Sequence, residues 1–226
     1  MYAGNVPKVL VVVEGRTEQR FVNEVLRAQM PSIGWIASIV PSGGQIGGSQ
    51  TRGGYTTYAR MKKFIHKLLG DTNAACVTTM FDFDRHALPG DLPGIHKIPI
   101  GTPDQRVEYL EAAFAQDIAK PRFVPYFSLH DFEALLFTDP AKFRAWDPRL
   151  TDSIITKLIA IRDQYASPEH INDAQPPTHR IAELVPNFET DKPNFGFVVA
   201  EAIGLPALRQ HCRHFNSWLN TLSSFA

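Results

Sequence analysis

Residues 9–22 read VLVVVEGRTEQRFV, a stretch that contains a strand and the beginning of a helix. Its first five residues are valine or leucine, a run too short for a buried helix and typical of a strand covered on both faces. The strand stops at Glu14-Gly15. Apolar residues then recur at helical spacing, which predicts an amphipathic helix with Thr17 as its N-cap. Strand, tight turn and helix in this order indicate an α/β fold with a parallel sheet.

The N-terminal half continues this alternation. Strands are predicted at Trp35 to Val40, at Ala74 to Phe81 and from Arg122, and helices at Tyr58 to Leu69 and Asp104 to Ile118. The segment PSGGQIGGSQTRGG, rich in glycine, is predicted to be a loop. The pattern predicts a doubly wound parallel sheet of about four strands flanked by helices in residues 1–130. Helical segments dominate afterwards, which predicts a mainly helical extension over residues 131–226 that packs on this core.

Composition restricts the class of protein. Hydrophobic residues make up 44% of the 226 residues and charged residues 20%, as in a chain that folds throughout. The 23 basic residues balance the 23 acidic ones, so any contact with nucleic acid must be local or supplied by a partner. The two cysteines are too few for a disulfide framework. No apolar stretch approaches the roughly 20 residues that span a bilayer, so we expect a soluble cytoplasmic protein without membrane contact.

Three carboxylates follow the predicted strands. Glu14 comes directly after the first strand, and Asp82 and Asp84 come after the strand at residues 74–81. The carboxyl ends of parallel strands face one crevice, and an extended chain would point Asp82 and Asp84 the same way. Each residue alone could cap a helix or organise a turn. Together they would repel one another unless a cation compensated them, which predicts a site for Mg²⁺ or Mn²⁺ that serves phosphodiester chemistry.

The motifs VEGRTE and MFDFD resemble the glutamate and Asp-x-Asp motifs of TOPRIM domains. With HDFEALLF, SPEHIND and HCRHFNSWL, the chain resembles, over nearly its whole length, a TOPRIM-like family catalogued as domain of unknown function 4276. The resemblance implies a metal-dependent nuclease-like site, as in topoisomerases, primases and overcoming-lysogenization-defect nucleases, in which Glu14, Asp82 and Asp84 hold Mg²⁺. Glu18, one helical turn beyond Glu14, also fits the TOPRIM-like pattern and can face the same cleft.

Motif position gives hypotheses for two further residues. Glu133 in HDFEALLF would help to hold a second ion, and Lys192 in TDKPNFG would balance charge on the phosphate. Relatives of the family are often encoded beside an ATPase, which implies an ATPase partner and a role in defence against phage or foreign DNA. The expected substrate is nucleic acid, DNA in preference to RNA.

Other interpretations remain open. A haloacid-dehalogenase-type phosphatase and a nucleotide-sugar transferase also use Asp-x-Asp, but neither gives Glu14 an obvious role. A non-catalytic TOPRIM-shaped module that senses nucleic acid or regulates an ATPase is compatible with the neutral charge. Near the glycine-rich loop, the basic residues Arg52, Arg60, Lys62 and Lys63 either contact phosphates or form an ordinary solvated surface.

Several polar residues beyond position 129 are interpreted as structural. Asp131 is predicted to cap the helix that follows it, and His130 to pack at the junction between the two parts of the chain. The family resemblance implies a structural, positioning role for Glu169 and Asn172 in SPEHIND.

Overall fold

A computed structural model describes residues 6–41, 57–84, 88–171 and 175–225 of the chain. Residues 42–56, which contain the glycine-rich loop after Pro41 and include Arg52, and also Asn172 therefore lie outside the described residues. Within the described ranges, no helix is long and apolar enough to cross a bilayer.

A parallel sheet forms the centre of the described fold. Its strands are β1 (Lys8–Val13), β2 (Gly34–Ile39), β3 (Ala74–Asp82), β4 (Phe123–Val124) and β5 (Phe127–Ser128). The order is β2-β1-β3-β4, and β5 also pairs with β3, so β1 and β3 are the inner strands. The predicted α/β class and parallel sheet are confirmed, because all these pairings are parallel.

The strand predicted from Arg122 is divided into β4 and β5. Pro125 lies between them and has no N–H to give to a ladder. The hydroxyl of Thr79 replaces the missing ladder bonds: it accepts from the Tyr126 N–H at 2.8 Å and donates to the Tyr126 carbonyl at 2.9 Å. The edge of the sheet therefore stays attached to β3 across the interruption.

Helices and 3₁₀ turns cover the sheet. In the described part of the chain the helices are α1 (Arg16–Arg20, continued by a π-helical stretch Phe21–Leu26 and by Arg27–Gln29), α2 (Tyr58–Leu69), α3 (Pro103–Ile118), α4 (Asp152–Arg162), α5 (Pro177–Leu184), α6 (Lys192–Ile203), α7 (Leu205–His211) and α8 (Arg213–Ser223). The 3₁₀ turns are Ile95–Lys97, Phe132–Thr138, Pro140–Ala145, Pro168–His170 and Phe188–Asp191. HDFEALLF, predicted as helix, is thus a 3₁₀ turn.

Side chains of β1 alternate between two hydrophobic clusters. Val9, Val11 and Val13 pack in one cluster with α1 and with apolar residues from the extension beyond residue 130. Leu10 and Val12 pack in the other with α2 and α3. The continuous apolar run of β1 is explained by this burial on both faces, and the extension supplies much of one layer.

Helix α6 packs closely against α1 at Gly196. A Cβ atom at Gly196 would lie 2.8 Å from Cγ2 of Thr17 and 3.1 Å from Cε1 of Phe132, and both neighbours are buried. Gly196→Ala is therefore expected to lower the free energy of unfolding by about 1–2 kcal/mol, although alanine favours helix. Urea denaturation measures the change. Gly90→Ala is the control, since a Cβ there meets nothing within 4 Å; equal stability of the two variants would refute the tight contact.

Candidate functional site

Glu14 joins the carboxyl ends of the two inner strands. Val13, the last residue of β1, pairs with Met80 of the adjacent parallel strand β3. One carboxylate oxygen of Glu14, Oε1, accepts a hydrogen bond from the backbone N–H of Asp82 at 2.6 Å. The structure thus brings Glu14 and Asp82 together at the edge where the sequence places them.

The first turn of α1 returns Glu18 to the same place. The prediction that Thr17 caps α1 was wrong: Gly15 occupies the N-cap and Thr17 is buried inside the first turn. The turn is closed instead by Glu18, whose Oε2 accepts the Gly15 N–H at 2.9 Å. Burial and then the charge of Glu133 raise the pKa of Glu18 to about 7, while backbone hydrogen bonds and Lys192 act in the opposite direction.

Burial also raises the pKa of the other two inner carboxyl groups. For Glu14 the next largest cause is the charge of Glu18, and the hydrogen bond from the Asp82 N–H opposes it. For Asp82 the charges of Glu14 and Glu18 follow burial. Burial and mutual repulsion therefore disfavour the charged form of all three carboxyl groups.

Asp84 lies at the exposed side of this group. The strand ends at Asp82, and the Asp84 N–H bonds to the Asp82 carbonyl oxygen at 3.0 Å, so the chain turns there. The extended geometry expected to aim both carboxylates the same way therefore stops at Asp82. The charge of Asp84 nevertheless contributes to the raised pKa of Glu14, so Asp84 acts on the same cluster.

The 3₁₀ turn at residues 132–138 closes another side of the site. The Phe132 N–H donates to Oδ1 of Asp82 at 2.9 Å, which ties the turn to β3. The next residue, Glu133, is fully buried, and its Oε1 lies 3.1 Å from Nζ of Lys192 at the start of α6. Glu133 and Lys192 thus form an ion pair beside Asp82.

Lys192 brings a positive charge to this site. Burial alone would lower its pKa, but the charges of Glu133, Asp82 and Glu18 outweigh burial and raise the pKa above the ordinary value. The lysine therefore remains protonated at neutral pH. Its side chain is 36% exposed, and the partner that the structure gives it is a protein carboxylate.

Asp131 and Thr178 also belong to the site and were missed as functional residues. Asp131 was predicted to cap the turn that follows, but its side chain makes no capping bond. Its Oδ2 accepts a hydrogen bond from the Thr178 hydroxyl at 2.6 Å, and that hydroxyl also lies 2.9 Å from Oε2 of Glu133. A hydroxyl has one proton to donate, so it serves only one of the two carboxylates at a time. Thr178 is on α5, where no local pattern indicates the contact.

The donor atoms of this cluster suit a hard divalent cation. All are carboxylate oxygens, the ligands that Mg²⁺ and Mn²⁺ prefer. The carboxylates are those of Glu14, Glu18, Asp82, Asp84, Asp131 and Glu133. Among the described residues, no three His, Cys, Asp or Glu side chains form a ready-made ligand set.

The family model for Domain of unknown function (DUF4276) matches residues 13–223. The chain belongs to the DUF4276 family. The match begins one residue before Glu14 and ends with the last residue of α8, so it contains every carboxylate of the site. Comparison with curated proteins gave no match, and comparison with solved structures gave none either.

In this DUF4276 member, the SPEHIND motif contacts the HCRHFNSWL motif and holds the first turn of α8 in place. Glu169 of SPEHIND is buried and accepts the backbone N–H groups of His214 and Phe215 at 3.0 and 2.9 Å. In turn, Nε2 of His214 lies 3.0 Å from Oε1 of Glu111 on α3. The structural role implied for Glu169 is therefore visible as a cap on the first turn of α8.

The raised pKa of Glu18 should make the stability of this DUF4276 member depend on pH. Because that pKa moves from 4.5 to about 7 on folding, the folded chain holds a proton that the unfolded chain releases. The contribution is fully present below pH 4.5 and is lost as the pH rises through 7. Between pH 5 and 8 the free energy of unfolding should fall by roughly 2 kcal/mol from this group.

Urea denaturation of metal-free protein at several pH values measures this change. Glu18→Gln keeps an oxygen for the Gly15 N–H and should flatten the profile. Glu24→Gln is the matched control, because Glu24 is an exposed glutamate on the same helix. A free energy of unfolding that rises from pH 5 to pH 8 would contradict the buried arrangement of Glu18.

Proposed function

We propose that this protein is a metal-dependent nuclease-like enzyme that hydrolyses phosphodiesters in nucleic acid. Mg²⁺ or Mn²⁺ would be held by Glu14, Glu18, Asp82, Asp84 and Glu133. The observation that carries the proposal is the convergence of Glu14, Glu18 and Asp82, all with a raised pKa, at the carboxyl edge of β1 and β3. Such crowding destabilises the fold, and a bound divalent cation would offset it.

The residues of the chain have separable roles in this proposal. A bound ion would polarise the scissile phosphate and orient the attacking water. Glu14 and Asp82 accept backbone N–H groups, so their carboxylates are held in place before substrate arrives. Lys192, partly exposed beside Glu133, places a fixed positive charge near the phosphate.

The remaining parts of the proposal are DNA as the preferred substrate, an ATPase partner and a role in defence against foreign DNA. The resemblance to TOPRIM domains supports the first through the VEGRTE and MFDFD motifs, which supply Glu14, Glu18, Asp82 and Asp84. The ATPase partner and the defence role are implied by the family resemblance, because relatives of the family are often encoded beside an ATPase.

A non-catalytic module is the second candidate. The observation in its favour is the neutral net charge, since 23 basic residues balance 23 acidic ones. A protein of this kind would sense nucleic acid or regulate an ATPase through the same edge of the sheet without cleaving a strand.

Calorimetric titration with Mg²⁺ and Mn²⁺ and a gel assay on labelled DNA and RNA test these candidates. Wild type is compared with Asp82→Asn/Asp84→Asn, and Asp152→Asn/Asp163→Asn, exposed at the ends of α4, is the control. Metal-dependent cleavage lost only in the first variant supports the nuclease and identifies its substrate. Metal binding without cleavage supports the non-catalytic module. Equal metal binding by all three proteins refutes the metal site.

A further inference from the structure

A basic cleft lies on the outer face of α2. Its walls are Pro41, Arg60, Lys63, Phe64 and Lys67, and its volume is about 360 Å³. Carbon atoms form most of the wall surface, and three of the five wall residues carry a positive charge. The three cations recur at positions i, i+3 and i+7, so they form one stripe along the helix. We call this feature the α2 cleft.

The charges of the α2 cleft are available to a ligand. Arg60, Lys63 and Lys67 are exposed, and in the described part of the chain they take part in no ion pair. Lys62 differs, because its Nζ lies 2.7 Å from Oδ2 of Asp117. Of the basic residues predicted to contact phosphates, Lys62 is thus neutralised within the protein, and Lys67 takes its place in the stripe.

The α2 cleft begins at the edge of the sheet that carries the candidate site. Pro41 comes two residues after the end of β2, and the N–H of the intervening Val40 donates to the Val13 carbonyl oxygen at 2.8 Å. Glu14 is the residue after Val13. From Arg60, in the first turn of α2, the stripe runs about 10 Å to Lys67 at 1.5 Å per residue. The cleft thus leads away from the carboxylates along one helix.

We propose that the α2 cleft binds single-stranded nucleic acid and leads the strand to the carboxylate site. This inference rests on the proposed function, since it names the surface that holds the substrate. The three cations bind backbone phosphates, and an unstacked base or sugar packs on Phe64 and Pro41. A single strand offers such bases, whereas a duplex keeps them stacked. An acidic peptide without aromatic residues, such as polyglutamate, would match the charges but brings no planar group to the apolar floor.

Binding is measured without cleavage, by fluorescence anisotropy of a labelled oligothymidylate in EDTA at several salt concentrations. Arg60→Gln/Lys63→Gln/Lys67→Gln should bind at least about 10-fold more weakly at low salt and reduce the slope of log affinity against log salt by about 2. Phe64→Leu keeps an apolar side chain but removes the ring. It should weaken binding by about 5-fold or more and leave the salt slope unchanged.

The control Arg27→Gln/Lys142→Gln/Lys157→Gln removes the same charge from three other exposed positions and should bind like wild type. Thermal melts establish that each variant is folded. The α2 cleft is refuted if wild type does not bind the oligonucleotide, if both triple variants bind alike, or if polyglutamate competes as well as the oligonucleotide. If the protein cleaves nucleic acid but the α2 triple variant binds as tightly as wild type, the α2 cleft alone is refuted. If the α2 triple variant binds more weakly but wild type does not cleave in Mg²⁺, the nuclease alone is refuted.

Discussion

Asp82→Asn is expected to lower metal-dependent cleavage by about 1000-fold or more and to raise the stability of the metal-free protein at pH 8. Asparagine keeps a side-chain oxygen that can accept the Phe132 N–H. It removes a carboxylate whose pKa is raised by burial and by the charges of Glu14 and Glu18. The variant thus loses a ligand for the cation. In the metal-free protein it loses the repulsion of Asp82 by Glu14 and Glu18.

Two measurements on one preparation test this prediction. Initial rates of strand cleavage in Mg²⁺ report the function, and urea denaturation in EDTA at pH 5 and pH 8 reports the stability. The gain in stability should be larger at pH 8, because the destabilisation caused by a raised pKa grows with pH from the ordinary value of 3.8 up to the pKa of the folded state. Asp163→Asn is the control. Lower stability together with lost cleavage would mean that Asp82 serves the fold alone.

Lys192→Met is expected to lower the free energy of unfolding by about 3 kcal/mol, the low end for a broken buried ion pair because Lys192 is 36% exposed. The physical reason is that Glu133, the partner of Lys192, remains in the variant. Glu133 is fully buried, and its Oε1 would keep a negative charge without the ammonium group 3.1 Å away. Removing the lysine therefore costs more than the pair itself contributes.

A double-mutant cycle separates this effect from lost packing. Glu133→Gln/Lys192→Met has no buried carboxylate at position 133, so it should recover most of the stability that Lys192→Met loses. Urea denaturation of the four proteins gives the coupling free energy. Additive effects of the two substitutions would show that Lys192 does not compensate Glu133.

Local patterns were sufficient for most of the secondary structure near the sheet. Helix α2 has the predicted bounds, Tyr58–Leu69, because its apolar residues recur at strict helical spacing. Strand β1 was recognisable because burial on both faces demands a continuous apolar run. The 3₁₀ geometry of residues 132–138 could not be predicted, since its first N–H group bonds to Asp82, fifty residues earlier in the chain.

Glu14 and Asp82 could be located in the same way. They lie at the carboxyl ends of two strands of a parallel sheet, and a general property of such sheets places these ends at one edge. The roles of Asp131 and Thr178 could not be located, because Thr178 reaches Asp131 from a helix 47 residues away. The prediction that Asp131 caps its turn followed from the usual local use of aspartate and failed for that reason.

The sequence by itself determined the α/β fold, the two inner strands and the residues that follow them. Run length and periodicity are local properties, because burial on one or two faces requires apolar residues at fixed spacings along the chain. Only the tertiary structure decided which charges are compensated. Lys62 is neutralised by Asp117 and Lys192 by Glu133, whereas Arg60, Lys63 and Lys67 face solvent. Electrostatic energy depends on distance in space and on burial, and neither follows from separation along the chain.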